Sequence, residues 1–458
     1  MELIISNEIT IHDPTSEVRQ WVYDKLKVPN PEYANKVKMG LWIGSTPKEL
    51  KLYRTSGDSI IIPYGTLKSL YNAFPCLDDT DTKHDFAQNK PVNYRASINL
   101  YPYQEKAVES LLNAQGGILQ SKAGSGKTRM GIALICALGK KTLWLTHTNE
   151  LLNQSYNAAA EFIDKKLLGK ITAGKIQIAD GITFATVQTL SKADLNALRY
   201  EWDMIIVDEC HRASMSVTRA TMFSKVLNNL AARYKYGLSA TLHRADGLIK
   251  CTYALVGGVA HTVPDSVVNT MRVEIQRKDT GVQISRKCLD TDGTLCYAKL
   301  INYLAEHPYR NKQVSEDIDA LCSQDHSIIL LSDRVGHLQE LYKMLPYHIQ
   351  NDAVILHGKV KKADRELALE QMRNKEKHIL LATYQLAKEG LDVPCLDRLL
   401  LATPVKDYAI VVQSVGRIAR VCEGKGTPVV YDYVDDIGFL EGMWKKRCTS
   451  YRKDGCIL

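Results

Sequence analysis

The stretch Gly117-Ile118-Leu119-Gln120-Ser121-Lys122-Ala123-Gly124-Ser125-Gly126-Lys127-Thr128 decides the fold. A short apolar run, Gly117 to Gln120, enters a glycine-rich turn, and the apolar helical run Arg129 to Leu138 follows. A triphosphate needs many donors at close range, and a glycine-rich turn feeding a helix N-terminus can point several backbone N–H groups at it. The expectation is a nucleotide site made of Ser121, Lys122, Ala123, Gly124, Ser125, Gly126, Lys127 and Thr128. Lys127 would reach the β and γ phosphates, and the Thr128 hydroxyl would ligate Mg²⁺. Ser121 replaces the first glycine of the general pattern, a departure that leaves Gly126-Lys127-Thr128 intact.

Further along, Met204-Ile205-Ile206-Val207 has the pattern of a buried strand and ends in Asp208-Glu209-Cys210-His211. Two carboxylates at the carboxyl end of a parallel strand lie beside a phosphate loop on the same sheet. Asp208 can then hold Mg²⁺ through its water shell, and Glu209 can orient or deprotonate the attacking water. Alone, the tetrapeptide would say little, because acidic residues often end strands for solubility. Following a phosphate loop, it reads as catalytic.

Working outward, short apolar runs alternate with helical patterns, which implies repeated βαβ units and a parallel sheet. Candidate strands are Gly117–Gln120, Thr142–Thr146, Ile182–Thr186, Met204–Val207 and Tyr236–Leu238. After a polar stretch near Arg277 to Gly293 the rhythm restarts with Ser327–Leu331, Ala353–Leu356, His378–Ala382, Arg398–Ala402 and Pro428–Tyr431. Residues before about Leu100 differ. There, strand-like Leu3–Ser6, Gly40–Gly44 and Ser59–Pro63 surround one helix, capped at Thr15 or Ser16 and carrying Val18, Trp21, Val22 and Leu26 on one face. An acidic, turn-rich linker, Asp78 to Asp85, follows. The expected fold class is α/β: a small α+β domain (1–93), then two tandem parallel-sheet domains (94–265 and 266–458).

At 458 residues, more than one domain is expected. The net charge of +8 permits a polyanionic partner without identifying one. The 45% hydrophobic and 24% charged residues exclude a disordered or collagen-like chain. Eleven scattered cysteines without a C-x-x-C pair suggest reduced thiols rather than a disulfide framework or zinc ribbon. The start, Met1 to Thr10, lacks the features of a secretory signal, and no apolar run reaches the roughly 20 residues of a membrane span. A cytoplasmic protein with no membrane partner is expected.

In Gln413-Ser414-Val415-Gly416-Arg417-Ile418-Ala419-Arg420, positions 413, 416, 417 and 420 fall at i, i+3, i+4 and i+7. In a helix they would form one stripe with both arginines on one face, able to clamp a γ-phosphate. A solvated basic helix face is the bland alternative. Trp444-Lys445-Lys446-Arg447 with Tyr451-Arg452-Lys453 could stack a base or pin a duplex phosphate, but a helix end whose Trp packs inward is the commoner use of such a segment.

Taken in order, these segments resemble the motifs of superfamily 2 helicases, over roughly Asn99 to Arg447. Tyr103-Gln104 resembles the glutamine that reads adenine, Ser239-Ala240-Thr241 the segment that couples ATP hydrolysis to nucleic-acid movement, and Gln413 to Arg420 the Q-x-x-G-R-x-x-R segment. The resemblance implies two RecA-like domains, with ATP and Mg²⁺ as cofactors. Catalysis would rest on Lys127, Asp208, Glu209, Gln413, Arg417 and Arg420, with Mg²⁺ held by Thr128 and Asp208. Gln104, Gly390 and Asp392 would join the nucleotide site. Thr148, Thr186, Arg334 and Thr383 are the choices for nucleic-acid phosphate contacts, though threonine at a strand end is commonly just a cap or a strand former.

The segment Gly237 to Gly247, in which Arg244 and Asp246-Gly247 follow the S-A-T, resembles DNA-directed members, and Asp208-Glu209-Cys210-His211 differs from the D-E-A-D of the RNA group. The compact length is similar to viral recombination and branch-migrating helicases. A monomeric ATP-dependent helicase or translocase on single-stranded and branched DNA is therefore expected, with other replication or recombination proteins as further partners. The rival readings are an RNA helicase or transcript-release motor, the translocating subunit of a larger nuclease, and a nonenzymatic scaffold. Residues 1–95 hold 12 Lys+Arg and 12 Asp+Glu, so the whole +8 lies beyond them. Branch recognition by the N-terminal domain would have to use shape or a local patch.

Overall fold

Runs of four to six apolar residues, bounded by turns, are too short for packed helices and long enough for buried strands. The computed structural model bears this out over the residues it describes: 1–79, 81–122, 124–172, 175–213, 221–242, 246–268, 270–388, 391, 393–405 and 408–458. The chain divides into two compact units, Met1–Lys122 with Gly126–Val268, and Asn269–Leu458 with Ala123–Ser125.

The first unit carries an eight-stranded sheet. Its order is Lys175–Gln177, Leu168–Thr172, Ile182–Thr186, Thr142–Thr146, Met204–Asp208, Tyr234–Ser239, Gly117–Gln120 and Val259–Thr262. Every neighbouring pair is parallel except the edge hairpin formed by Lys175–Gln177 on Leu168–Thr172. Thr142–Thr146, Ile182–Thr186 and Met204–Asp208 are buried along their whole length, as strands covered on both faces must be. That burial explains their unbroken apolar runs.

The same unit holds a five-stranded sheet from the N-terminal region, ordered Arg54–Ser56, Ser59–Pro63, Glu8–His12, Glu2–Ile5 and Asp81–His84. The helix Ser16–Lys25 packs Val18 and Val22 into its core, with Thr15 as the cap accepting from the Val18 N–H. Three expectations are corrected here. Gly40–Gly44 is an irregular turn rather than a strand. The supposed linker Asp78 to Asp85 contains the strand Asp81–His84, which pairs parallel to Glu2–Ile5. Glu8–His12, missed in the sequence, is central to the sheet. Asp81–His84 escapes detection because it is a largely exposed edge strand with no apolar residue.

The N-terminal sheet is fastened to the large sheet by polar groups as well as by packing. Lys235, wholly buried, donates its ammonium to the carbonyls of Asn7 at 3.1 Å and Leu227 at 2.9 Å, and lies 4.9 Å from the Tyr64 ring centre. Arg199 and Tyr200 reach the Asp85 carboxylate at 3.1 and 3.0 Å. Cys251 and Ala254 join the apolar core of the N-terminal sheet.

The second unit is a six-stranded, wholly parallel sheet ordered Glu274–Gln283, Val429–Asp436, Arg398–Leu401, Ile328–Ser332, Ile379–Thr383 and Ala353–Leu356. The polar stretch near Arg277 to Gly293, in which no strand was expected, overlaps the edge strand Glu274–Gln283, where only Ile275 and Val282 are buried. Among the described residues, no helix is long and apolar enough to cross a membrane.

Candidate functional site

In the first unit the strand Gly117–Gln120 brings the chain to the glycine turn at the carboxyl edge of the sheet. The helix Lys127–Leu138 starts immediately, with Gly126 at its N-cap. Gly126 sits at φ +81°, and a Cβ there would lie 2.5 Å from Gln104 Nε2, so both the backbone conformation and the space require glycine. Gln104 occupies the third position of the helix Pro102–Ala114, and its Oε1 accepts from the Tyr101 N–H at 3.0 Å. The adenine-reading candidate thus closes its own helix and presses its amide against the phosphate loop.

The Lys127 ammonium lies across the loop, donating to the carbonyls of Ser121 at 3.1 Å and Lys122 at 3.3 Å. Phosphate oxygens are stronger acceptors than these carbonyls. The Ser121 hydroxyl is buried and has no hydrogen-bond partner among the described residues, and Ser125 is buried beside it in the chain. Thr128 is the second residue of the helix and half-buried. A cation, a helix N-terminus and an orphaned hydroxyl on a turn with no room for a side chain form a set that fits a triphosphate. Ala123 lies outside the described residues.

Asp208 ends the strand beside Thr142–Thr146, and its Oδ1 accepts from the Glu209 N–H at 3.0 Å while Oδ2 accepts from the Ser155 hydroxyl at 3.4 Å. Ser155, which the sequence reading did not single out, reaches the site from the helix Asn149–Ala160. Glu209 has φ +48°, a left-handed turn that swings its carboxylate toward His211 Nδ1, 3.3 Å away. Burial first, and then the neighbouring Glu209 carboxylate, push Asp208 above the usual carboxylate range. Glu209 goes the other way: burial opposes it, but the His211 hydrogen bond and the Lys127 charge pull it down. The two carboxyls are therefore pushed in opposite directions, Asp208 up and Glu209 down.

His211 Nδ1 also lies 2.9 Å from the Ser239 hydroxyl, which donates to the Thr241 carbonyl at 2.6 Å. The acidic turn and the Ser239-Ala240-Thr241 segment are thus joined side chain to side chain. The sequence quoted both segments, but only folding brings them together. His243, Arg244 and Ala245 lie outside the described residues.

The threonine candidates of this unit are helix caps. Thr148 Oγ1 accepts from the Leu151 N–H at 3.2 Å, and Thr186 Oγ1 accepts from the Thr189 N–H at 3.3 Å and donates to the Thr189 hydroxyl at 3.0 Å.

In the second unit the helix Tyr408–Ile418 carries Gln413, Gly416 and Arg417 but stops before Arg420. The expectation of one helical stripe holding both arginines is corrected: the Ala419 carbonyl is taken by the Met271 N–H at 2.8 Å, and the chain turns away. Arg417 grips the Ala387 carbonyl through Nε and Nη2 at 3.2 and 3.0 Å, and the Leu391 carbonyl through Nη1 at 2.8 Å. Gln413 is buried, and its Oε1 has no partner among the described residues. Burial lowers the pKa of Arg420. Arg334 donates to Asn302 Oδ1 at 2.7 Å and to Asp333 Oδ2 at 2.8 Å, and Thr383 ends its strand half-buried. Gly390 and Asp392 lie outside the described residues.

In the basic C-terminal segment Trp444, Arg447 and Tyr451 serve the fold, while Lys445, Lys446, Arg452 and Lys453 are exposed. Arg447 is buried in the helix Gly438–Lys453 and forms a two-pronged pair with Asp432, both contacts 2.7 Å, while the Tyr451 hydroxyl donates to the same carboxylate and Trp444 packs on the core. The base-stacking alternative is therefore set aside.

Residues 97–244, which include the phosphate loop and the acidic turn, match the family model of the type III restriction enzyme res subunit. Residues 312–422, which include Arg334, Gln413, Arg417 and Arg420, match the helicase conserved C-terminal domain. A protein of Acanthamoeba polyphaga mimivirus, named for an ATP-dependent RNA helicase, is 28% identical over 426 residues, covering 89% of this chain and 78% of that protein. One of Escherichia phage T5, named for a helicase, is 28% identical over 338 residues, covering 74% and 72%. The structure of S. cerevisiae Dbp5 bound to RNA and ADP BeF3 shares the fold, with a TM-score of 0.53 and 18% identity over 76% of this chain and 87% of that one. The restriction-enzyme-subunit match followed by the helicase C-terminal match, on two mainly parallel sheets that carry the phosphate loop and the Q-x-x-G-R-x-x-R segment respectively, together with the viral relatives, show that the chain belongs to the superfamily 2 helicases.

Proposed function

We propose that the chain is a DNA helicase or translocase that uses ATP and Mg²⁺ to remodel branched DNA. The observation that carries the choice of DNA is the match of residues 97–244 to a restriction-enzyme subunit, across the stretch that holds both the acidic turn and Ser239-Ala240-Thr241. In this reading Lys127 and the loop Ser121 to Thr128 hold the phosphates, with Gln104 buttressing the loop. Thr128 and Asp208 would hold Mg²⁺, which would supply positive charge to the phosphates. Glu209, held by His211, orients or deprotonates the attacking water. Gln413, Arg417 and Arg420 raise turnover rather than nucleotide affinity. Thr148, Thr186, Arg334 and Thr383 contact phosphates of the strand, so binding is weakly sequence-dependent and falls steeply with salt.

The His211–Ser239 contact supplies a route from hydrolysis to strand movement, since a change at Glu209 is felt one hydrogen bond later at the start of the S-A-T segment. The test compares ATPase stimulation by forked DNA, linear duplex, single-stranded DNA and matched RNA. Greatest stimulation by forks supports branch remodelling. The mimivirus relative's name favours a second reading, an RNA helicase, and stimulation by RNA above every DNA would replace the first reading with that one.

A further inference from the structure

The N-terminal region contains an excursion that folds on itself. Lys27–Pro29 pairs antiparallel with Glu49–Lys51, and the helix Pro31–Lys38 lies between them. Asn30 Nδ2 donates to the Pro47 carbonyl at 2.8 Å, and the Lys36 ammonium to the Thr46 hydroxyl at 2.7 Å, closing the loop. The eight-residue helix buries none of its residues. Nearby, Val37, Met39, Leu41 and Trp42 are 53, 69, 55 and 88% exposed. Four large apolar side chains left in water within six residues mark an interaction site rather than a folding element.

Two features identify what fits there. The Trp42 ring lies on Gly44: a Cβ at Gly44, which sits at φ +53°, would come 2.8 Å from the Trp42 ring. Bare backbone thus supports one face of the indole and leaves the other open. The surroundings are cationic. Residues 27–51 hold five lysines and two glutamates, a net of +3, whereas the rest of residues 1–95 holds 7 Lys+Arg against 10 Asp+Glu (12 minus 5, and 12 minus 2). Glu32 is paired with Lys36 at 2.9 Å and Glu49 with Lys27 at 3.8 Å, so Lys38, Lys48 and Lys51 have no carboxylate partner among the described residues. A supported aromatic face in a segment with a net charge of +3 suits an unstacked base with phosphates on either side.

We infer that Trp42, seated on Gly44 in a segment that also carries Lys38 and Lys48, stacks on an unpaired base of a branched nucleic acid. The inference rests on the motor reading above and adds a recognition element outside the motor motifs. It also resolves the neutrality of the N-terminal region, which conceals a local basic patch.

The test uses the full chain and equilibrium binding to a fork with unpaired arms, a fully paired duplex of the same length, and an RNA fork. Trp42→Ala should weaken fork binding about 10-fold, the loss of one stacked base, and leave duplex binding nearly unchanged. Gly44→Ala, which displaces the ring without removing it, should reproduce much of this loss. Lys38→Glu with Lys48→Glu should flatten the salt dependence on all substrates. The unfolding midpoint of each variant, read alongside, keeps folding separate from binding. The DNA and RNA arms identify the strand whose base is stacked. Unchanged fork affinity in Trp42→Ala, an equal loss on paired duplex, or a loss confined to anionic lipid vesicles or a protein partner would overturn the inference while leaving the motor reading intact. A wild-type chain whose ATPase responds to no nucleic acid would overturn both.

Discussion

At Lys127 a single ammonium is held by two loop carbonyls, at 3.1 and 3.3 Å, that cannot match a phosphate as acceptors. Lys127→Ala should therefore reduce ATP turnover by at least 100-fold while the protein remains folded and still binds nucleic acid. A coupled-enzyme ATPase assay with a binding titration checks this, and normal turnover would refute the phosphate-loop assignment. His211 and Ser239 make a different prediction, because their 2.9 Å contact joins two segments rather than holding nucleotide. Ser239→Ala should keep most of the unstimulated ATPase yet lose several-fold in unwinding per ATP consumed, measured on a fork. Equal losses in both would point to a local structural role. Arg417 shows how a motif residue can serve its own unit: three of its N–H groups hold the Ala387 and Leu391 carbonyls, a fork geometry that lysine cannot copy.

At the scale of the element, the C-terminal helix Gly438–Lys453 is anchored by one buried pair. Arg447 and Asp432 meet at 2.7 Å through both prongs, and the Tyr451 hydroxyl completes the carboxylate. Removing one partner of such a pair leaves a buried charge without compensation, which costs about 3–5 kcal/mol. Arg447→Ala should lower the unfolding free energy of its unit by about that amount in a denaturant titration. A change below about 1 kcal/mol would return the segment to the surface role. The caps are smaller terms. Thr148 satisfies one N–H at the start of the helix Asn149–Ala160, and losing such a contact costs about 1 kcal/mol, so a Thr148 variant must be corrected for stability before a phosphate contact is inferred.

For the whole molecule, the buried Lys235 links stability to pH. Burial lowers its pKa from 10.5 to about 7, with the Glu8 charge opposing part of that shift. Between about pH 7 and pH 10.5 the unfolded chain holds a proton that the folded chain has released, so stability rises with pH across that window and the contribution is complete above it. Lys235→Met should abolish this slope. Urea midpoints of wild type and variant at pH 7 and pH 9 provide the comparison, and parallel slopes would show that Lys235 keeps its proton when folded.

The βαβ rhythm, the phosphate loop and the acidic strand end were legible because buried parallel strands and backbone-bound phosphates demand particular residues in unbroken order. Gly117–Gln120, Thr142–Thr146 and Ile182–Thr186 read correctly to the residue. Edge strands were not legible: Asp81–His84 and Glu274–Gln283 bury little, so their composition is that of loops. Nor could the stripe from Gln413 to Arg420 reveal that Met271 takes the Ala419 carbonyl and ends the helix short of the second arginine. The sequence by itself determined the fold class and the nucleotide chemistry, because local pattern and motif are sufficient for both. Only the tertiary structure decided which cations are committed inside their own unit, which carboxyl burial pushes up, and which tryptophan faces water. Those outcomes depend on burial and on partners distant along the chain, such as Asp432 for Arg447 and Ser239 for His211.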